Sequence, residues 1–355
     1  MTKQELLHII KEFVPADKLT SSQKLTAGNI NHTYLVEVDR ASGTQKYILQ
    51  NINTQIFNNP EALLNNCAVI SKHIDQKLKE NPKIYYQNFD IYQAKTGKYG
   101  IQYTQDSCWR LLDYIEGKPI ENAALTQAHI IEGGKMLGRF HQLLSDLNTE
   151  AIVDTIPNFH HSDKYYDAFV KTVEQKPFRY KETADFCRKL DAYSHLIDVF
   201  VQIKKQNILP KRLVHNDPKL DNILFDHHGK ACTLIDLDTC MQGYLPVDFG
   251  DAIRSITNTA SENETDLNKV HFDSEKYLLY RDAYLSEVQS FASEKEVEFL
   301  PFFIQLITYE QALRFYTDYL QNDIYYHTTY DRHNFNRARV QLKLLDEMSL
   351  FFSDN

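Results

Sequence analysis

"LVHNDPKLDNILFD" occupies residues 213–226 and is followed at 233–239 by "TLIDLDT". Apolar strand formers flank a polar knot of His215, Asp217, Lys219 and Asn222, and a second apolar strand, "ACTLI", leads to Asp236. Asp217 and Asn222 stand five positions apart with Lys219 between them, and Asp236 follows Asp217 by 19. This spacing fits phosphoryl transfer: an H-x-D-x-x-x-x-N loop and a later strand-end aspartate. Phosphoryl transfer needs a carboxylate to orient the acceptor hydroxyl and take its proton, a role for Asp217. Mg²⁺ takes hard oxygen ligands, usually one or two side chains plus phosphates, which suits Asn222 and Asp236. Lys219 is placed to neutralise the transferring phosphate, and His215 to fix the loop by hydrogen bonds. The competing reading is an acidic hairpin with solvated charges. A lone D-x-x-x-x-N would be read that way; the joint match of His215, Asp217, Lys219, Asn222, "NILF" and Asp236 selects the reaction centre.

Asp238 reads either as a second metal ligand or as a loop carboxylate. Asp248 and Asp251 in "VDFGDAIRS" read as structural, since acids at a helix start favour its dipole and can brace the catalytic loop. The letters "DFG" at 248–250 do not mark the metal site, because the strand-end position belongs to Asp236.

Towards the N-terminus the texture changes. "TYLVEVD" and "QKYILQNI" are β-branched and aromatic, with "RASGT" between them as a hairpin turn. Residues 59–79 carry apolar positions at helical spacing after Asn59-Pro60. "GIQYTQDSCWRLLDYIEG" returns to strand character and stops at Gly117. From 121 the texture is helical, with further helices at about 181–206 and 276–293 and a mostly helical, aromatic-rich stretch at 298–351. The expected fold is α+β and bilobal: residues 1–117 form a small β-sheet lobe with one or more helices that binds nucleotide, and residues 118–355 a larger, mainly helical catalytic and substrate lobe. In "TAGNINHTYLVEV" Gly28 reads as a turn over ATP phosphates, with Asn31 and Thr33 beside it as nucleotide contacts, or as a plain hairpin turn. Backbone groups at Tyr114 and Ile115, in the strand-to-hinge segment, are expected to pair with adenine.

The chain is 43% hydrophobic and 25% charged, ordinary for a globular enzyme. A net charge of −9 argues against nucleic acid as the main partner. Five cysteines without a CxxC pair indicate buried, reduced thiols. The start "MTKQELLHIIKEFV" lacks a secretory h-region, and no apolar run approaches the ~18 residues of a membrane span. A cytoplasmic protein is expected, with no membrane association and no obligate protein partner.

These residues together resemble the aminoglycoside/choline-type phosphotransferases, which have a protein-kinase-like fold, and among them the N-acetylhexosamine 1-kinases. The similar segments are "AGNINHTYLV", "YILQNINTQIF", "VHNDPKLDNIL", "IDLDT", "DFGDAIR", "NKVHF" and "RFYTDYLQNDIYY", in order from about residue 25 to 345. The middle three are shared by many small-molecule kinases; the first two and the last are more specific. The resemblance implies ATP and Mg²⁺ as cofactors, Asp217 as base, Asp236 as metal ligand, and Arg314 and Tyr325 as sugar contacts. It also places Asn29 where the family's phosphate loop can carry a sugar-contacting histidine, with His32 nearby, and Gln50 where kinases usually carry the strand lysine. Arg314 and Tyr325 are eleven positions apart, about three turns of an unbroken helix; read from the residues alone, they are core or surface groups of an aromatic-rich helix.

The expected function is ATP- and Mg²⁺-dependent phosphorylation of GlcNAc or GalNAc at the anomeric hydroxyl. The alternatives are a kinase of another small alcohol, such as choline, an aminoglycoside or a different sugar, and a nucleotide-binding pseudokinase regulator. A protein kinase is disfavoured, because only Thr239–Val247 separates Asp238 from Asp248, too short for a long activation loop.

Overall fold

Two strands that alternate in burial and turn at residues 41–42 set up the first half of the molecule. The computed structural model describes residues 1–25, 31–104, 107–120 and 124–354. β1 (Lys18–Leu25), β2 (His32–Arg40) and β3 (Gly43–Ile52) form an antiparallel meander, with Arg40 paired to Gly43 across the turn. β4 (Ile101–Thr104) and β5 (Ser107–Asp113) complete a five-stranded sheet of order β1-β2-β3-β5-β4. α1 (Lys3–Phe13) starts with a Thr2/Glu5 capping box and buries Leu6, Ile9, Ile10 and Phe13 in a small core with Val36, Val38, Leu49 and Trp109. This helix stands beside the one read at residues 59–79.

That expected helix is α2 (Pro60–Glu80), capped by the Asn59 side chain. Its buried face does not join the small core. Leu63, Leu64, Cys67, Ile70 and Ile74 belong to one continuous core with Leu137, Phe140, Ile223, Leu234 and Phe249. The two halves are therefore cemented through α2. After β5 the chain runs beside the second half: the amide of Lys118 donates to Phe225 O at 3.0 Å and that of Phe225 to Lys118 O at 2.9 Å. A Cβ on Gly117 would lie 3.1 Å from Leu224 Cβ and 3.2 Å from Phe225 O, so the approach of the two segments favours glycine there.

The second half is mainly helical: α3 (Gln127–Leu143), α4 (Ser162–Glu174), α5 (Tyr180–Asp191), α6 (His195–Lys205), α7 (Leu245–Thr257), α8 (Ser274–Val288), α9 (Glu294–Glu298), α10 (Leu300–Leu320) and α11 (His333–Ser353). The strand–loop–strand of the opening motif is set among them. β6 (Arg212–Val214) pairs with β9 (Met241–Gly243), and β7 (Ile223–Phe225) with β8 (Ala231–Leu234). The expected α+β architecture is observed. The stretch 298–351 differs: α10 stops at Leu320, and Asn322, Asp323 and Arg332 take left-handed backbone at φ 69, 59 and 66. The Asp318 carboxylate accepts from the amides of Tyr325 and Tyr326 and draws the chain off the helix axis. Tyr325 is therefore not three helical turns from Arg314; it lies in the connecting turn.

Candidate active site

The loop after β6 is held rigid from several sides. Asn216 has φ 64, a left-handed conformation that a non-glycine residue adopts at a cost of about 1–3 kcal/mol and keeps when its surroundings over-determine it. They do so here. Both oxygens of Asp248, buried in the first turn of α7, accept from the loop backbone: Oδ2 from His215 N at 2.6 Å and Oδ1 from Asn216 N at 2.7 Å. His141 of α3 bonds Asp248 at 2.8 Å and Tyr284 at 3.0 Å. The Asn216 amide group donates to Thr239 O, and Thr239 Oγ1 donates to His215 O, both at 2.8 Å. Asp248 thus braces the loop, as expected of it. The fully buried His215 accepts from Asp217 N on Nδ1 at 3.3 Å, so its Nε2 donates to Ile235 O at 2.9 Å. Burial holds its pKa down, and it remains a neutral strut.

On this frame the Asp217 carboxylate is 30% exposed to the cleft. Its Oδ2 accepts from Lys219 Nζ and from Asn222 Nδ2, each at 2.9 Å. Asn222 spends its nitrogen on Asp217, so its carbonyl oxygen is the atom left for a cation. Burial opposes the Lys219 charge, but Asp217, Asp236 and Asp251 outweigh it and raise its pKa.

Asp236 follows β8 and is also left-handed, at φ 67. Its side chain is exposed, with protein packed around the strand end that carries it. That enclosure, then the Asp238 and Asp217 carboxylates, push its pKa up to about 7. Negative charge exceeds positive charge here, and the donors are carboxylate and amide oxygens, so the residues present fit a hard divalent cation.

Asp238, read either as a second metal ligand or as a loop carboxylate, is placed differently. It is 2% exposed and forms a two-pronged pair with Arg110 of β5: Oδ1 to Nη1 at 2.5 Å and Oδ2 to Nη2 at 3.0 Å. Oδ2 also accepts from Asn31 at 2.7 Å. Both its oxygens are engaged across the cleft, so it ties the sheet to the strand-end turn. Arg110 itself is 3% exposed, lies directly opposite Gln50 in the β3–β5 register, and donates from Nε to Gln50 Oε1 at 2.8 Å. Gln50 in turn donates to Thr33 at 3.0 Å, and Asn31 accepts from Asn53 N at 3.0 Å. Three of the expected nucleotide-side residues, Asn31, Thr33 and Gln50, are thus brought together around Arg110. Gly28 and Asn29 lie outside the described residues. Tyr114 and Ile115 follow the end of β5 at the hinge, where Lys46 sits 5.5 Å from the Tyr114 ring and Ile115 packs on the main core.

The other wall of the cleft gathers around Arg314 of α10. Its guanidinium, 12% exposed, faces the rings of Tyr165 at 5.0 Å, Phe159 at 5.3 Å and Tyr326 at 5.7 Å. It donates to Gln311 at 3.1 Å and stands 4.0 Å from Glu310. The oxygens of Glu310 accept from Ser162 at 2.7 Å and meet His160 at 2.9 Å. Asp251 pairs with Arg254 at 2.9 Å; despite burial, Arg254 and His160 hold its pKa low, and Lys219 adds to this. Tyr325 is 65% exposed, with its ring T-shaped against Tyr326 at 4.8 Å. A charged donor framed by aromatic faces can grip a polar ring by its oxygens and stack its flat side.

Arg110, His160 and Glu310 were not legible from local spacing. Arg110 carried one faint signal: a charge inside the otherwise apolar strand "CWRLL".

Comparisons with known proteins show the family and the fold. The model of the phosphotransferase enzyme family (APH) matches residues 21–279. An aminoglycoside phosphotransferase from Alicyclobacillus acidocaldarius superposes with a TM-score of 0.65 at 10% identity, covering 98% of this chain and 94% of its own. A microcompartment-associated aminopropanol kinase gives 0.55 at 16% identity over 99% and 98%. A Plasmodium vivax ethanolamine kinase gives 0.54 at 16% identity over 90% and 82%. These structures share the fold, and with it the kinase-like arrangement of sheet and helices. The sequence match spans most of the chain and includes both strands of the motif: the chain belongs to the phosphotransferase enzyme family.

Proposed function

We propose that the chain transfers the γ-phosphoryl group of ATP to the anomeric hydroxyl of an N-acetylhexosamine, GlcNAc or GalNAc, giving the sugar 1-phosphate in the cytoplasm. Residues 1–117 serve as the nucleotide lobe and residues 118–355 as the catalytic and sugar lobe. The observation that carries the reading is the part-exposed Asp217 carboxylate, held between Lys219 and Asn222, with the Asp236 carboxylate nearby after β8. Asp217 orients the acceptor hydroxyl and takes its proton as the bond to phosphorus forms. Lys219 steadies the carboxylate and faces the incoming charge. The Asn222 oxygen and Asp236 would hold Mg²⁺, which supplies charge neutralisation for the phosphates. Asn31, Thr33 and Gln50 border the phosphates, and backbone groups at Tyr114 and Ile115 pair with adenine.

The acceptor wall favours a neutral polar ring. Arg314 carries a full charge and stands 4.0 Å from Glu310, whose oxygens are also engaged by His160 and Ser162. An ammonium-bearing acceptor would meet a like charge there, whereas sugar hydroxyl and acetyl oxygens are matched acceptors for a guanidinium. The second reading, a kinase of another small alcohol, draws on the aminopropanol and ethanolamine kinases that share the fold.

A coupled ADP-release screen with ATP, Mg²⁺ and GlcNAc, GalNAc, galactose, glucose, choline and kanamycin separates the two. Turnover confined to the N-acetylhexosamines supports the proposal. Turnover led by choline or kanamycin replaces it with the second reading.

A further inference from the structure

His160 lies on no motif, yet it touches both walls of the cleft. Its backbone is left-handed at φ 52, two residues after Asn158 at φ 61. The turn sets its ring 4.3 Å from that of Phe159 at a tilt of 49° and places Phe159 under Arg314. Nδ1 of the buried imidazole is 2.9 Å from Glu310 Oε1, and Nε2 is 3.0 Å from the carbonyl oxygen of Asn216. Both neighbours are acceptors only. Both ring nitrogens must therefore carry a proton, and the ring is an imidazolium. A neutral ring would leave one buried acceptor facing a lone pair.

The Asn216 carbonyl belongs to the planar peptide that ends in Asp217 N. His160 holds that plane by its oxygen, and His215 holds it by its N–H at 3.3 Å. The Asp217 Cα lies at the end of that plane, so a shift of the plane carries the carboxylate with it. Glu310, on the other side of the ring, is one helical turn from Arg314.

We propose that His160 is a positioning residue, a doubly donating ring that ties the acceptor clamp on α10 to the peptide carrying Asp217, so that seating the acceptor and placing the base are coupled. This rests on the reading of Arg314 as clamp and Asp217 as base. The charged groups facing the ring are Glu310 and Arg314 of α10 and Asp251 of α7. Burial opposes its charge and Glu310 outweighs burial, so its pKa is raised. The stability this ring contributes is full at low pH and is lost as pH rises through the raised value.

Imidazole-¹⁵N spectra of the intact chain need no acceptor. His160 is expected to hold both protons at about pH 7 and to lose one only above the ordinary histidine range, with Glu310→Gln moving the transition down. A neutral ring at that pH overturns the proposal. The second readout is ADP release with GlcNAc as probe. His160→Gln keeps one donor; it is expected to lower kcat about tenfold or more and raise KM for GlcNAc, while KM for ATP stays within about twofold. A purely structural role would lower Tm and leave kcat and the GlcNAc KM alone, and that result overturns the coupling. If the wild-type chain does not turn over GlcNAc, the substrate assignment fails separately, and the spectra still decide the protonation on which the coupling depends.

Discussion

The two walls of the cleft are built in opposite ways. The phosphoryl side draws His215, Asp217, Lys219, Asn222 and Asp236 from one strand–loop–strand segment, so local spacing fixes their geometry. The proposed acceptor side draws His160 and Glu310 from positions 150 residues apart, with Asp251 and Arg254 from a third place. One wall is a motif; the other is an assembly of packed helices. Chemistry that must be the same for every acceptor can sit on a short rigid loop, while recognition can vary with helix packing at little cost to the loop.

The comparison makes the phosphoryl wall the more sensitive one, and Asp217→Asn probes it hardest. The amide keeps the shape but cannot take the proton, so kcat is expected to fall about 10²–10⁴-fold with ATP affinity unchanged. A near-normal kcat would remove Asp217 from the base role and with it the asymmetry between the walls.

Arg110→Ala comes next, because it strands a buried carboxylate. Loss of one partner of such a pair costs about 3–5 kcal/mol, read by urea unfolding. Adding Asp238→Ala should return part of that loss, since the two groups are in direct contact. If the two losses simply add, the pair is not the strut between sheet and strand-end turn.

Asp236→Ala should weaken Mg²⁺-dependent nucleotide binding by at least about tenfold, with binding in EDTA little changed. A wild-type Mg²⁺ titration would put the cation elsewhere. On the proposed acceptor wall the effect falls on binding rather than on turnover: Arg314→Ala removes a charged hydrogen-bond donor worth about 2 kcal/mol, roughly thirtyfold in acceptor KM, with kcat much less affected. A larger fall in kcat than rise in KM would show that Arg314 acts on the reaction rather than on seating the acceptor.

What could be read from the chain follows the same division. The sheet strands, α2 and the His215–Asp236 segment carry period, caps and spacing within a few dozen residues, and they lie where those signals put them. The break after Leu320 was hidden because Asp318 caps the amides of Tyr325 and Tyr326 seven and eight residues later, a contact with no local signature. Asp238 was ambiguous because its partner Arg110 is 128 residues away. Distance along the chain also concealed the reason for Gln50, whose partner Arg110 is 60 residues away. With Arg110 placed directly across the β3–β5 pair, the sheet already carries a cation next to that position, bound to Asp238 rather than offered by β3. α4 was missed because its apolar face is sparse: only Ser162, Phe169 and Thr172 are buried.

The central claim concerns which hydroxyl receives the phosphoryl group. On the proposed reading Asp217 could take a proton from any acceptor hydroxyl, and the clamp at Arg314 would decide which end of the ring points at it. The direct measurement is the ³¹P–¹H coupling pattern of the product formed from GlcNAc, ATP and Mg²⁺. Coupling of phosphorus to the anomeric proton is the result this account expects, and coupling to the C6 protons would contradict it.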